Sequence, residues 1–354
     1  MDLTNSHVDD LVEKARQALP VWQALGFSGR KKILKAWAAQ LTNNIDEIAK
    51  VISNETGKPV SDATLEATVA IEHLAWAAKH AEKILETQSR PSGLLFANIR
   101  SKVERIPFGV VGVIGPWNYP MHTPMGSISY ALAAGNCVVF KPSEYTPRIG
   151  KLLAEKFNLV APNSYIFQSL DGAPELGIQL TKANVDKIAF TGSTEVGKII
   201  TRAIAGTEKK ATLELGGKAA NIIYDDAAID QAVEGIINGI FFNQGHVCCA
   251  GSRLLVQESI YSTVLDKLQE RMAKIRVGDP MDKNTDLGAI NSAPQLAKIK
   301  ELTSAGDSEG AVRWSSPCEL PKKGFWFAPT IFTGVTESHR IAREEIFGPV
   351  LSIL

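Results

Sequence analysis

Val110-Val111-Gly112-Val113-Ile114-Gly115-Pro116-Trp117-Asn118-Tyr119-Pro120 and, further on, Cys137-Val138-Val139-Phe140-Lys141-Pro142-Ser143-Glu144 decide the fold. Each begins as a short apolar run and ends in polar or helix-breaking residues. Similar runs recur at Tyr165 to Phe167 and at Ile188 to Phe190, with helix-length segments between them. Apolar runs of this length read as parallel strands covered on both faces by helices. A second series starts near Ala219-Ala220-Asn221-Ile222-Ile223 and continues through Leu254-Leu255-Val256. The pattern predicts an α/β protein with two sheets. Motif order, rather than any shift in composition, sets the boundary between them near residue 214.

Upstream, residues 8 to about 87 read as helix. Ile33, Leu34, Trp37, Leu41, Ile45 and Ile48 recur at steps of three and four, which places them on one face for packing. Gly57-Lys58-Pro59 breaks the pattern, and a second helix follows from about Ser61. Asn98 to Ile106 alternates polar and apolar residues, the mark of a half-exposed strand. It reads equally as an extension that meets a partner chain and as a plain surface hairpin. The last residues, Pro349 to Leu354, form another apolar run, read as a strand whose backbone partners are left unmade.

Bulk properties bound the function. The 354 residues suffice for about two domains. Apolar residues make up 45% and charged residues 21%, which suits a globular chain and excludes a disordered one. Lys plus Arg equals Asp plus Glu at 38 each, so nothing favours nucleic acid or an anionic membrane as partner. Met1 to Asp10 is polar, without the apolar core of a signal peptide. The cysteines are Cys137, Cys248, Cys249 and Cys318, with no CxxC spacing for zinc. An adjacent pair is no disulfide framework, and the expected setting is the reducing cytoplasm. Cys137 sits in an apolar run and reads as a small core hydrophobe.

Four segments carry chemistry. Gly192-Ser193-Thr194-Glu195-Val196-Gly197 lies between a strand-like run and a helix expected from Lys198 onward. Glycine there admits close approach of a ligand, and the helix N-terminus offers free N–H groups to phosphate. A plain capped helix start through Ser193 or Thr194 reads as well. Lys141 and Glu144 follow a strand end, where α/β sheets bind ligands, and could hold ribose hydroxyls. In Phe242-Asn243-Gln244-Gly245-His246-Val247-Cys248-Cys249-Ala250-Gly251, small residues leave the thiols sterically bare. A thiol needs a depressed pKa or a nearby base to act as nucleophile, and His246 is the base closest in sequence. Glu214, before Gly216-Gly217-Lys218, reads as a general base for water or as a surface ion-pair partner of Lys218.

Taken in order, these segments resemble the NAD(P)-dependent aldehyde dehydrogenase superfamily over nearly the whole chain. The resemblance runs through Pro116 to Pro120, Lys141 to Glu144, Phe190 to Gly197, Glu214 to Lys218, the Cys248 segment and Glu344-Glu345-Ile346-Phe347-Gly348-Pro349. It implies a Rossmann-like dinucleotide-binding domain (1–90 and 107–213), a small β-extension for oligomerisation (91–106) and a second α/β catalytic domain (214–354). It implies that Cys248 attacks the aldehyde carbonyl, giving a thiohemiacetal and then a thioester. Asn118 and the Cys248 backbone N–H would form the oxyanion hole, one such donor being worth about 3 kcal/mol. Glu214 would activate the hydrolytic water. Trp117, Lys141, Glu144, Gly192, Ser193, Glu345 and Phe347 would bind the cofactor. A carboxylate at Glu144 favours NAD, with NADP as the alternative. The substrate would be a small-molecule aldehyde and the assembly a homodimer or homotetramer.

The chain departs from this pattern at two places. His246 stands where most relatives carry Gln, and a partly charged imidazole there would alter the thiol's pKa. Relatives also begin with additional strands and continue past Pro349, so the catalytic domain is expected to be incomplete and the chain a fragment of doubtful activity. Two alternatives accompany the hydrolytic reading. One is a CoA-acylating relative, which Glu214 argues against. The other is an inactive, truncated NAD-binding or structural homologue.

Overall fold

The computed structural model describes residues 3–354, with side chains from residue 7 onward. The chain divides into two compact units. One comprises residues up to Ile48 together with Glu66–Glu214; the other comprises Ala49–Leu65 and Leu215–Leu354. A stretch within the N-terminal helical region thus groups with the second unit.

The helical region is four helices: α1 (Leu3–Ala24), α2 (Gly26–Asn43), α3 (Ile45–Thr56) and α4 (Val60–Leu85). The long helix expected up to Gly57 is broken twice more, before Gly26 and at Asn44. The Asn44 side chain donates to the Gln40 carbonyl at 2.6 Å, which competes with helix continuation. The predicted apolar face is used for packing: Leu34, Trp37, Leu41 and Ile48 are buried. Trp37 meets the Phe157 ring edge-on at 5.1 Å, and Phe157 in turn meets Phe167. Trp22 Nε1 donates to the Leu132 carbonyl at 2.9 Å, so the buried indole loses no hydrogen bond.

After α4, β1 (Gln88–Arg90) pairs antiparallel with β2 (Ser101–Val103). Strand pairing is confined to Ser101–Val103, shorter than the Asn98 to Ile106 expected. Ile99 N donates to Phe96 O and Ser92 Oγ donates to Ile99 O, so this backbone is spent on a turn.

The first unit then alternates β3 (Val110–Ile114), α5 (His122–Ala134), β4 (Cys137–Lys141), α6 (Pro147–Asn158), β5 (Phe167–Ser169), α7 (Pro174–Lys182), β6 (Lys187–Gly192), α8 (Thr194–Ile204) and β7 (Lys210–Leu215). The sheet order is β5-β4-β3-β6-β7, with β3, β4, β5 and β6 parallel. This is the dinucleotide-binding order, in which the connections reverse direction beside β3. One strand begins later than predicted. Asn163 Oδ1 accepts from Tyr165 N at 2.8 Å and caps a 3₁₀ turn, so β5 starts only at Phe167.

The second unit contains β8 (Ala220–Ile223), α9 (Ile229–Phe241), β9 (Arg253–Val256), α10 (Tyr261–Met272), α11 (Ala293–Ser308), β10 (Val312–Ser315), β11 (Thr330–Thr333), α12 (Arg340–Arg343) and β12 (Val350–Ile353). Its order is β10-β11-β12-β9-β8, parallel apart from β10. Ile331, Leu351 and Ile353 enter one buried cluster with Ile236, Leu254 and Leu268. Phe332 and Val350, the alternate residues, enter a second cluster with Ile299, Leu302 and Ile341. Both faces are therefore covered, which explains why these strands are continuous apolar runs.

The C-terminal run corrects an expectation. β12 is an interior strand, paired with β11 on one side and β9 on the other. Leu354 N donates to Leu254 O at 2.8 Å and Ser352 N to Ser252 O at 3.1 Å, so the strand's backbone partners are made. Among the described residues no helix is long and apolar enough to cross a membrane.

Candidate active site

In the first unit, three motif segments sit at the carboxyl ends of parallel strands. Trp117 and Asn118 lie on the loop between β3 and α5; Asn118 is 7% exposed. Glu66 anchors that loop. Its Oε1 accepts from Met121 N at 2.8 Å and from His122 N at 3.1 Å, at the start of α5. A carboxylate suits the positive end of a helix and satisfies donors that have no intrahelical acceptor. Gly115 N donates to Lys141 O at 3.0 Å, which ties the loop to the end of β4.

Lys141 ends β4. Its ammonium is 3% exposed, donates to Pro142 O at 2.8 Å and lies 3.7 Å from Glu144 Oε2. Burial lowers the lysine's pKa, and the Glu144 charge opposes that shift. The pair offers one fixed cation and one half-exposed carboxylate, a donor and an acceptor set for vicinal hydroxyls.

Gly192 ends β6, and Ser193 caps α8 by accepting from Val196 N at 3.3 Å. The helix starts at Thr194, not Lys198, because the Ser193 cap fixes its first turn. A Cβ on Gly192 would meet the Phe190 ring at 2.5 Å, so a larger residue requires that ring to shift. The sequence did not single out Val196 and Ile199. Both are exposed on the first turns of α8, three residues apart, and offer an apolar platform beside the free helix N–H groups. Their signal was present as the apolar side of an otherwise polar helix. These features fit a dinucleotide: a helix N-terminus for phosphate, a hydroxyl site at Lys141–Glu144, and exposed apolar side chains for a base. Glu214 is exposed on β7, the edge strand of this sheet.

In the second unit, α9 ends at Phe241 and the chain enters a tight path to the thiols. Asn243 (φ 50°) and Gln244 (φ 55°) both adopt left-handed backbone, and Gly245 follows at φ 72°. Gln244 Nε2 donates to Ala289 O at 2.7 Å and Asn243 Nδ2 to His246 O at 3.2 Å. Cys248 and Cys249 then stand exposed on a turn closed by Ala250 N donating to Val247 O at 3.1 Å. Partial burial, and next the neighbouring Cys249, push the Cys248 thiol up, while the N–H groups of Cys248 and Cys249 pull it down. The net direction is upward, so this environment gives no depressed pKa.

His246 corrects a second expectation. It is 1% exposed and stacked on Phe347. Burial first, then the charge of Lys58, lowers its pKa to about 3. The imidazole is neutral at physiological pH, so it is not the partly charged neighbour expected to tune Cys248.

Glu345 and Phe347 lie on the loop between α12 and β12. Glu345 Oε1 accepts from Gly217 N at 3.3 Å, and burial raises this carboxyl's pKa. Lys218, read from the sequence as a surface ion-pair partner, is instead largely buried, and the Glu345 charge acts on it. Burial and then the Arg253 charge bring its pKa down to about 8, against the pull of Glu345. Phe347 has left-handed backbone (φ 58°). Gln295 Nε2 fixes it by donating to the Ile346 and Phe347 carbonyls at 3.1 and 2.8 Å.

A dinucleotide-type parallel sheet and, in the second unit, an exposed cysteine turn fit the class of cofactor-dependent oxidoreductases. The comparisons with known proteins narrow this. The pattern of the aldehyde dehydrogenase family matches residues 1–354, and the chain belongs to that family. It is 39% identical over 360 residues to an aldehyde dehydrogenase of Davidiella tassiana, covering 99% of this chain and 71% of that protein. An NAD-dependent aldehyde dehydrogenase from Sinorhizobium meliloti matches at 35% identity and TM-score 0.95, covering 99% of this chain and 70% of that one. An NADP-dependent enzyme from E. coli matches at 32% identity and TM-score 0.95, covering 99% and 73%. The chemistry is oxidation of a small-molecule aldehyde with NAD(P) as hydride acceptor.

Proposed function

We propose that Cys248 is the nucleophile of a hydrolytic, NAD-preferring aldehyde dehydrogenase. The observation that carries this reading is the Cys248 turn: an exposed thiol delivered by strained backbone, in a segment of small residues. Strain of this kind concentrates where geometry serves function.

The roles follow from the side chains. Cys248 Sγ adds to the aldehyde carbon, and the carbonyl oxygen becomes an oxyanion. The Asn118 amide and the Cys248 backbone N–H donate to that oxygen. As the bond forms, the thiol proton passes to solvent water, which reaches the exposed turn. The bound dinucleotide supplies the hydride acceptor, and Cys248 then carries the acyl group as a thioester. Glu214 takes a proton from water so that hydroxide adds to the thioester carbon, releasing a carboxylic acid and the free thiol. Trp117, Lys141, Glu144, Gly192, Ser193, Glu345 and Phe347 bind the cofactor. Lys141 and Glu144 take the adenosine ribose hydroxyls, and Glu345 takes those of the nicotinamide ribose. The Glu144 carboxylate disfavours a 2′-phosphate, which supports NAD over NADP.

Homo-oligomerisation and a cytoplasmic location belong to the same reading. Leu94, Leu95 and Ile106, beside the β1–β2 pair, expose most of their apolar surface, which supports a partner copy. The four cysteines are free, which supports a reducing compartment.

The test is aldehyde-dependent NADH formation by the purified chain and by its Cys248→Ala and Cys249→Ala variants. The reading expects turnover by the parent, none by Cys248→Ala, and substantial turnover by Cys249→Ala. Equal rates in the parent and Cys248→Ala overturn it.

A further inference from the structure

The left-handed pair at Asn243 and Gln244 (φ 50°, ψ 41°; φ 55°, ψ 24°) sits between the end of α9 and the Cys248 turn. Two consecutive L residues in this conformation persist only where their surroundings hold them. The side chains of Asn243 and Gln244 are tied to His246 O and Ala289 O. The Asn243 backbone N–H, just past the helix end, is partly buried. It donates to Asp62 Oδ2 at 3.4 Å, from a segment remote in sequence.

Asp62 is well placed for this task. It lies in the first turn of α4, where a carboxylate is favoured by the unpaired helix N–H groups. Ser61 Oγ donates to its other oxygen, Oδ1, at 3.3 Å. Lys58, one turn earlier, is 0% exposed, and its charge acts on Asp62. Asp286 is the other charged group that acts on it; its repulsion is reduced by the Arg276 guanidinium, which donates to both Asp286 oxygens. The Lys58 charge also acts on His246, at the far end of the same turn. The segment Lys58 to Asp62 therefore bears on both ends of Asn243–His246. The reaction as proposed leaves both charged groups without a role.

We propose that Asp62 is a positioning residue for Cys248: its half-buried carboxylate, countered by Lys58, fixes the left-handed Asn243–Gln244 turn from which the nucleophile's backbone departs. The inference rests on the reading of Cys248 as nucleophile. It touches neither aldehyde nor dinucleotide, so its removal acts on the chemical step and leaves cofactor affinity unchanged.

The test compares Asp62→Ala, Asp62→Asn and the charge-neutral pair Lys58→Met/Asp62→Ala with the parent chain. Three readouts are taken: kcat, KM for NAD, and the iodoacetamide alkylation rate of Cys248 followed by peptide mass. Asp62→Ala is expected to lower kcat and the alkylation rate roughly ten- to a hundredfold, as a nucleophile displaced by about an ångström would. KM for NAD should stay within about twofold of the parent. Asp62→Asn keeps an oxygen acceptor for Asn243 N–H and should restore both rates to within about threefold. The double variant removes one charge of each sign, so it reports the loss of the acceptor even if Asp62→Ala does not fold. Parent-like kcat and alkylation in Asp62→Ala or the double variant overturn the proposal. So does an Asn variant as slow as the alanine one. A Cys248→Ala control separates the two readings: if it keeps turnover, the nucleophile assignment fails. If it is dead while the Asp62 variants are fast, only the positioning role fails.

Discussion

The His246 imidazole stacks on the Phe347 ring, with centroids 5.7 Å apart and planes 27° from parallel. This contact joins the residue two before Cys248 to the loop that leads into β12. Both rings belong to strained or buried backbone, and the neutral state of His246 follows from that burial.

The first prediction concerns acid stability. The folded His246 pKa of about 3 lies below its ordinary value of 6.5. Between those values the unfolded chain binds a proton that the folded chain does not. Stability from this group is therefore fully present above 6.5 and falls as pH drops through the window. At pH 5 the loss is about 2 kcal/mol. Denaturant midpoints at pH 7.5 and pH 5 should show His246→Gln losing less than the parent by about that amount. Equal losses in the two proteins would contradict the buried, neutral imidazole.

Glu214→Gln should separate acylation from hydrolysis. Rapid mixing is expected to show a burst of NADH close to one per active site. The steady rate should then fall by roughly 10²–10⁴. A parent-like steady rate would move the base elsewhere. Acceleration of the slow phase by CoA would revive the acylating alternative.

Glu144 bears on cofactor choice. Glu144→Ala removes a half-exposed carboxylate and leaves the buried Lys141 ammonium in place. Removing repulsion of about 1 kcal/mol should raise kcat/KM for NADP several-fold and lower the value for NAD. An unchanged NAD-to-NADP ratio would show that the ribose is not read here.

Gly245→Ala probes the turn itself. Gly245 has φ 72°, and a Cβ there would overlap the Gly348 carbonyl. The left-handed conformation alone costs about 1–2 kcal/mol for an L residue, before the clash. The variant should lose most turnover and show a lower Tm, while NAD binding measured by calorimetry persists. A stable, active Gly245→Ala would mean the turn is laxer than described.

Much of the fold was legible because it is written locally. Val110–Ile114 and Val138–Phe140 are continuous apolar runs, since helices cover both faces of their sheet. Gly57-Lys58-Pro59 marked a real helix break. What stayed hidden depends on contacts remote in sequence. Pairing of β12 on both sides depends on Arg253 and Thr330, and nothing in Pro349 to Leu354 announces them. The early helix breaks at Gly26 and Asn44 are invisible to a periodicity that runs through them. The ionisation of His246 follows from burial and from Lys58, which the sequence places far away. The candidate site was legible as residue types in order. Its strained backbone at Asn243, Gln244 and Phe347 was not, because asparagine, glutamine and phenylalanine carry no local demand for a positive φ.

The central claim is that Cys248 carries the acyl group. Glu214→Gln protein mixed with NAD and an aldehyde, acid-quenched and digested, can be read by peptide mass. The account predicts the mass of the acyl group on the Cys248–Cys249 peptide, assigned to Cys248 by fragmentation and absent without NAD. An unmodified Cys248 during NADH formation, or an acyl group on Cys249 alone, would contradict it.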